Sequence, residues 1–365
     1  MARNFGMFIK FARIQTKPHP GIDQSDILAF FENLSTLLNA GIALMRALTL
    51  CIDQCESEKL RKIIREITRK VAGGKALFDA MSEHPKIFTY QWLQVIRTGE
   101  QSGQLGKLLI QLNTNIKKSS ALMGKVKSAL IYPAIMLCVA IGAVFIMLWK
   151  VIPTFAKIFE DSGKKLPGIT QLMLNISFVV QTYGLRIVIG VGVFAFLMKK
   201  FIKTDFGARQ FYSLAMSIPV VGELVVQSSQ VQFTSNMGLL MKSGMPMLDA
   251  LASTQLSFRE NPIYFDILGE VHRKVSSGGT LGGALEVSGF FTQMTVGMVK
   301  IGEESGKLNE TMDLVTEYYE EKVGVLAMRA TQLMEPIIVI GMGIVVAGML
   351  GAVYLPMFQI SSGGA

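Results

Sequence analysis

The chain has 365 residues, half of them hydrophobic, with a mean hydropathy of +0.41 and a formal net charge of +9. No basic segment interleaves aromatic residues as a single-strand nucleic-acid surface would, so the charge reads as directed at anionic lipid headgroups and excludes nucleic acid as a partner. Three cysteines, Cys51, Cys55 and Cys138, exclude a disulfide framework. Cys51 and Cys55 share a helix face, but His19, His84 and His272 stand at no ligand spacing from them, so we expect buried thiols, no metal and no cofactor.

In Met1 to Ile14, Phe5, Phe8, Ile9 and Ala12 recur at helical spacing among Arg3, Lys10 and Arg13, without the long apolar core or cleavage pattern of a signal peptide. With the helix-breaking Lys17-Pro18-His19-Pro20-Gly21, residues 1–25 form a basic amphipathic segment and linker. Three readings of it stand: it lies on the inner membrane surface, grips a soluble partner, or frays.

Residues 26–128 are expected to form a first helical domain, with turns at Ala72-Gly73-Gly74 and Pro85. Its last helix carries Leu105, Leu108, Leu109, Leu112 and Ile116 on one stripe. From Ala129 to Trp149 there is no charge, and at ~1.5 Å per residue this run crosses a hydrocarbon core of roughly 30 Å. Residues 129–150 are thus a first span and 151–171 a short connection, in which Lys157, Lys164 and Lys165 nearly balance Glu160 and Asp161.

A second span over 172–198 follows from topology more than from hydropathy. Arg186 lies inside it, and two readings remain: snorkelling or a local structural pairing, or an arginine in a water-filled path. Residues 199–332 give a second helical domain with its lead-in, a turn at Ser277-Gly278-Gly279 and a stripe of Leu308, Met312, Val315, Tyr319 and Val323. A third span covers 333–355, and an uncharged tail covers 356–365. Lys117, Lys118, Lys125 and Lys127 precede the first span, while Lys199, Lys200, Lys203 and Arg209 follow the second. By the positive-inside rule the amino end and both domains are cytoplasmic, and the connection and carboxyl end face outward.

The second half repeats the first. Phe30-Phe31-Glu32-Asn33-Leu34 returns as Phe233-Thr234-Ser235-Asn236-Met237 roughly 200 positions later, and Tyr132-Pro133 returns as Glu335-Pro336. Gly99-Glu100-Gln101-Ser102-Gly103-Gln104-Leu105 returns as Gly302-Glu303-Glu304-Ser305-Gly306-Lys307-Leu308. One offset relates these landmarks, apart from a one-residue slip around Arg69-Lys70-Val71 and Arg273-Lys274-Val275.

In the Gly-Glu-x-Ser-Gly-x-Leu element the glycines permit a tight break between helices. The serine is suited to cap the following helix, and the glutamate sits near a positive helix end. A functional reading makes Glu100, Glu303 and Glu304 acidic contacts for a basic partner. The element lacks the lysine-serine ending of a nucleotide-binding loop, and the chain has no paired histidines, nucleophile elbow or carboxylate cluster. An enzyme is not expected. Tyr132 and Glu335, each before a proline at the start of a span, are the nearest candidates for membrane-embedded polar sites; Pro133 and Pro336 fit the first turn of their spans, which places Glu335 at the headgroup interface.

Two helical copies with this motif and a terminal span, closing on Glu335-Pro336-Ile337-Ile338 and Ala352-Val353-Tyr354-Leu355-Pro356-Met357-Phe358-Gln359, resemble the type II secretion F and type IV pilus PilC platform family. Glu32-Asn33 departs from the Arg-Gln pair common in that family. The resemblance implies an all-α membrane protein with two homologous cytoplasmic helical-bundle domains and three transmembrane helices. It also implies an inner-membrane, non-enzymatic part that couples a cytoplasmic hexameric ATPase to pilin or pseudopilin subunits, alongside other inner-membrane assembly proteins and as a low-order homo-oligomer. Gly99, Glu100, Gly103, Gly302, Glu303 and Gly306 are expected to shape the cytoplasmic surface, with Glu303→Lys weakening motor coupling without unfolding the protein. The competing classes are a three-span scaffold unrelated to pilins and an oligomeric transporter using Arg186 and Glu335.

Overall fold

The computed structural model describes residues 22–154, 168–202 and 204–362. The amphipathic segment at the amino end and most of the connection between the first two spans lie outside these residues. Among the described residues the chain is helical, without strands.

In the first copy Asp23 opens helix α1 (Gln24–Asn39) through a capping box with Asp26, so that two backbone donors are satisfied reciprocally. Helices α2 (Leu44–Gln54), α3 (Glu58–Ala72), α4 (Leu77–Ser82), α5 (Tyr90–Ser102) and α6 (Leu105–Ile146) follow. Helices α7 (Gly168–Phe201) and α8 (Asp205–Ser217) lead into the second copy. That copy comprises α9 (Val221–Lys242), α10 (Met247–Ser257), α11 (Pro262–Ser276), α12 (Leu281–Ser288), α13 (Gln293–Glu304) and α14 (Leu308–Ser362).

The duplication extends to individual caps and turns. Thr89 caps α5 and Thr292 caps α13, each accepting from the backbone amide three residues on. Left-handed glycines match in pairs: Gly41 with Gly244, Gly74 with Gly278, and Gly103 with Gly306.

Both copies belong to one compact unit, Met1–Lys127 with Asp205–Leu326. The sequence led to one core per copy, yet Phe31, Phe88, Leu109 and Leu112 of the first copy bury into the same cluster as Phe233, Met237, Leu240 and Met312 of the second. Around Phe31, the rings of Phe88 and Trp92 stand edge-on at 6.0 and 5.8 Å. Asn115 donates to Ser235 at 2.6 Å, and Lys118 pairs with Glu317 at 3.1 Å, so α6 is tied to the second copy by polar as well as apolar contact. All ten residues of the two predicted stripes are buried.

The other unit, Ser128–Thr204 with Ala327–Ala365, has the inverse pattern. Val139, Phe196 and Ile344 are 66, 68 and 69% exposed. Long helices that turn bulky apolar side chains outward need a hydrocarbon solvent. Ile131–Thr154 and a window within Leu308–Ala352 have mean hydropathies of 2.5 and 2.2, enough to cross a membrane. Helix α7, 34 residues long, contains the segment assigned to the middle crossing. Helices α8 and α9 are also apolar enough as a pair, but they are bent by 113°, and α9 buries Phe233 and Met237 in the core of the first unit. At that bend Val220 takes φ 66° while Gly222 approaches the Met216 carbonyl so closely that a Cβ would stand 2.2 Å from its oxygen.

Helices α6 and α14 also correct the placement of the prolines. No helix begins at Pro133 or Pro336; each lies inside a helix that started at the end of a Gly-Glu motif, so residues 128 and 332 fall mid-helix. The last helix of each bundle runs on into the span, and each proline removes one internal hydrogen bond there.

Helix α6 closes on a π turn, Met147–Val151, whose widened ring leaves carbonyls available. Ser177 of α7 donates to the Leu148 carbonyl, and Gln181 donates to the Trp149 carbonyl at 3.2 Å.

Two glycines distinguish packing from helix propensity. A Cβ at Gly302 would meet Thr311 Oγ1 at 2.1 Å, whereas one at Gly124 meets nothing within 4 Å. Gly302→Ala is expected to destabilise the purified protein by about 1–3 kcal/mol, and Gly124→Ala to be neutral or stabilising by up to about 1 kcal/mol, in chemical unfolding monitored by circular dichroism.

Candidate functional site

Each Gly-Glu motif closes a clasp inside its own copy. The Glu100 carboxylate accepts from the backbone amides of Leu77 at 2.7 Å and Phe78 at 3.1 Å, the first turn of α4. Glu303 does the same at the first turn of α12, from Leu281 at 2.8 Å and Gly282 at 3.1 Å. A carboxylate on two orphan donors at the positive end of a helix is a charge-assisted cap supplied from a distant helix. Gly99 and Gly302 are buried because α5 and α13 approach the next helix there: a Cβ on either would stand 3.0 Å from the Cα of Leu105 or Leu308. Gly103 and Gly306 then reverse the chain at φ 68°.

The serines act otherwise than expected. Ser305 donates back to the Ile301 carbonyl at 2.7 Å and Ser102 back to Gly99 at 3.5 Å, so both finish the preceding helix and neither caps the next. A hydroxyl at the end of a helix finds its nearest free acceptor one turn back. Since Glu303 holds two backbone amides, Glu303→Lys removes a structural clasp as well as a surface charge. Of the motif carboxylates, Glu304 is the one on the exposed face.

Sequence reasoning passed over an ion cluster beside the first clasp. Lys70 pairs with Glu66 at 2.5 Å and with Glu83 at 2.6 Å, and Lys75 pairs with Glu83 at 2.5 Å. Hydrogen bonds from Lys70 and Lys75 hold the Glu83 carboxyl down at about 2. The signal was present in the charges flanking the Gly73-Gly74 turn, but their convergence depends on the turn geometry. Burial, opposed by the nearby Lys118, raises the Glu320 carboxyl above its ordinary value.

Within the apolar unit, Tyr132, Arg186 and Glu335 are exposed and Pro133 is buried. The Arg186 guanidinium lies 5.5 Å from the ring centre of Tyr183, one turn back on α7, which is a local pairing. Among the described residues no ion pair joins Arg186 to Glu335, and no group of three or more His, Cys, Asp or Glu side chains converges as a metal site. Cys51 is buried, with its thiol pushed up to about 12 by desolvation, and Cys55 is half-buried.

Duplicated helical bundles sharing one core, together with outward-facing apolar helices of membrane length, define an all-α membrane protein built from a tandem repeat. A family model described as type II secretion system (T2SS), protein F matches this chain twice, over residues 30–153 and 233–356, and the chain belongs to that family. A type IV pilus assembly protein PilC from Pseudomonas aeruginosa is 30% identical over 338 residues, 92% of this chain and 90% of its own length. Another PilC, from Thermus thermophilus, is 31% identical and covers 93% of this chain and 83% of itself. A type II secretion system protein F from Aeromonas hydrophila is 26% identical over 362 residues, 99% of this chain and 91% of that protein.

Truncating Glu303 to Ala is expected to cost about 1–3 kcal/mol, the loss of acceptors for two part-buried amides, and to lower the melting temperature of the purified protein. The Glu83 cluster gives a separate pH signature. Because the folded carboxyl is depressed from 4.5 to about 2, its contribution is complete above pH 4.5 and fades as pH falls toward 2. Glu83→Gln should therefore flatten the acid limb of the stability profile between those values, measured by thermal unfolding.

Proposed function

We propose that the protein is the inner-membrane platform of a type IV pilus or type II secretion machine, linking a cytoplasmic assembly ATPase to the extraction and polymerisation of pilin or pseudopilin subunits. The observation that carries this reading is the double family match over both copies, each spanning a bundle and the apolar stretch that follows it. Relatives named for pilus assembly are 29–31% identical to the chain and those named for type II secretion 26–27%, which favours the pilus. A platform of this kind needs a soluble face for the motor and an apolar face for subunits leaving the bilayer. Helix α14 carries the buried stripe of the second copy and the third apolar stretch without a break.

In this reading the shared core is cytoplasmic, α6, α7 and α14 cross the inner membrane, and the carboxyl end is periplasmic. The basic residues Lys117, Lys118, Lys125, Lys199 and Lys200 support that orientation. The contact of Arg186 with Tyr183 supports the local-pairing reading of that arginine over a solute path. Deleting the gene in the native host should abolish surface filaments while pilin accumulates in the inner membrane, with recovery on expression of the full chain. Unchanged filaments together with lost secretion of folded proteins would assign the chain to secretion, and no change in either would refute the platform role.

A further inference from the structure

A clasped turn lies between α3 and α4 in the first copy and between α11 and α12 in the second, so the two can be compared position by position. Counting from the clasped Leu77 and Leu281, Lys70 corresponds to Lys274, Lys75 to Gly279 and Glu83 to Val287. In the first copy the space is closed by Glu83 bridging Lys70 and Lys75. In the second both bridging partners are gone. An open groove of about 760 Å³ stands there, lined by Glu270, Arg273, Lys274, Gly279, Thr280 and Val287, in which Glu270 keeps the place of Glu66 while that of Glu83 is empty of charge.

Among the described residues no carboxylate pairs with Lys274, and Arg273 reaches Glu270 only at 4.0 Å. Val287 is 70% exposed. An apolar side chain beside an unpaired ammonium is what remains when the carboxylate of an ion pair is withdrawn from a site otherwise conserved in backbone. The first copy therefore supplies the template for the missing group: a carboxylate approaching the lysine where α4 ends, with room beside Val287 for an apolar neighbour. The chain's own amino-terminal segment is basic and does not suit that role.

We propose that the groove between α11 and α12 is a docking site for an acidic segment of a partner protein, whose Glu or Asp takes beside Lys274 and Arg273 the place that Glu83 takes beside Lys70. The adjacent apolar residue of that segment covers Val287. Because the groove would be satisfied by a carboxylate in trans, binding weakens as salt rises and depends on charge more than on length.

The test uses the full chain in nanodiscs of neutral lipid and a fluorescein-labelled peptide of alternating Glu and Val, with a Gln-and-Val peptide as control, read by fluorescence anisotropy. The Glu peptide is expected to bind at low salt at least tenfold more tightly than the Gln peptide. Lys274→Gln should remove that preference. Val287→Glu should remove it as well, by closing the groove from within as Glu83 does, while leaving the melting temperature unchanged or raised. Equal binding of the two peptides, or a preference that survives both variants, would overturn the proposal. So would displacement of the peptide by vesicles of anionic phospholipid but not by neutral vesicles, since the groove would then be a headgroup site.

Discussion

The fold depends on a carboxylate that reaches across its own bundle. Glu100 and Glu303 each leave the end of one helix to accept the first two amides of a short helix more than twenty residues earlier, at 2.7 to 3.1 Å. Helix α4 has six residues, too few to hold themselves in helical form without such an external partner. The clasp fixes the turn between the third and fourth helices of each copy. The buried glycine beside it lets the next helix approach close enough to close the core. The motif is thus an internal fastener repeated at the same place in two copies, and its preservation in both has a structural cause before any functional one.

What the sequence made legible was periodicity and repetition. The buried stripes of α6 and α14 could be read because the 3.6-residue pattern of Leu105 to Ile116 and of Leu308 to Val323 is local. Uninterrupted apolar runs likewise exposed the membrane-length helices. What stayed hidden depends on contacts between distant segments. Nothing local says that Phe31 and Phe233 enter one core, that Glu100 finds the amide of Leu77, or that Lys70 and Lys75 converge on Glu83. Pro133 and Pro336 misled because proline at the edge of an apolar run matches a helix start, whereas each lies inside a helix that began in the bundle. Polar residues within the apolar unit were hidden for a similar reason: Ser177 and Gln181 have a role only once the π turn presents carbonyls to them.

Duplication allowed the copies to diverge on a common frame. Three left-handed glycine turns, the Thr89 and Thr292 caps and the two clasps recur in both, since each is fixed by backbone geometry that tolerates little change. Surface charge is free of that constraint. The first copy closes the groove beside α4 with its own ion cluster, and the second leaves the equivalent lysine beside an exposed valine. The surface can thus change in charge without a new fold, because stability rests on the shared core.

A single core made from both copies requires both copies to occupy one side of the membrane, and the platform reading rests on that. Lys62 and Lys307 have side chains 71 and 66% exposed in the first and second copy, and each can be replaced by cysteine in a background lacking Cys51, Cys55 and Cys138. Labelling with a membrane-impermeant maleimide is expected to reach neither site in intact spheroplasts and both once the inner membrane is opened. Labelling of one site but not the other before permeabilisation would place the copies on opposite faces and contradict the shared core.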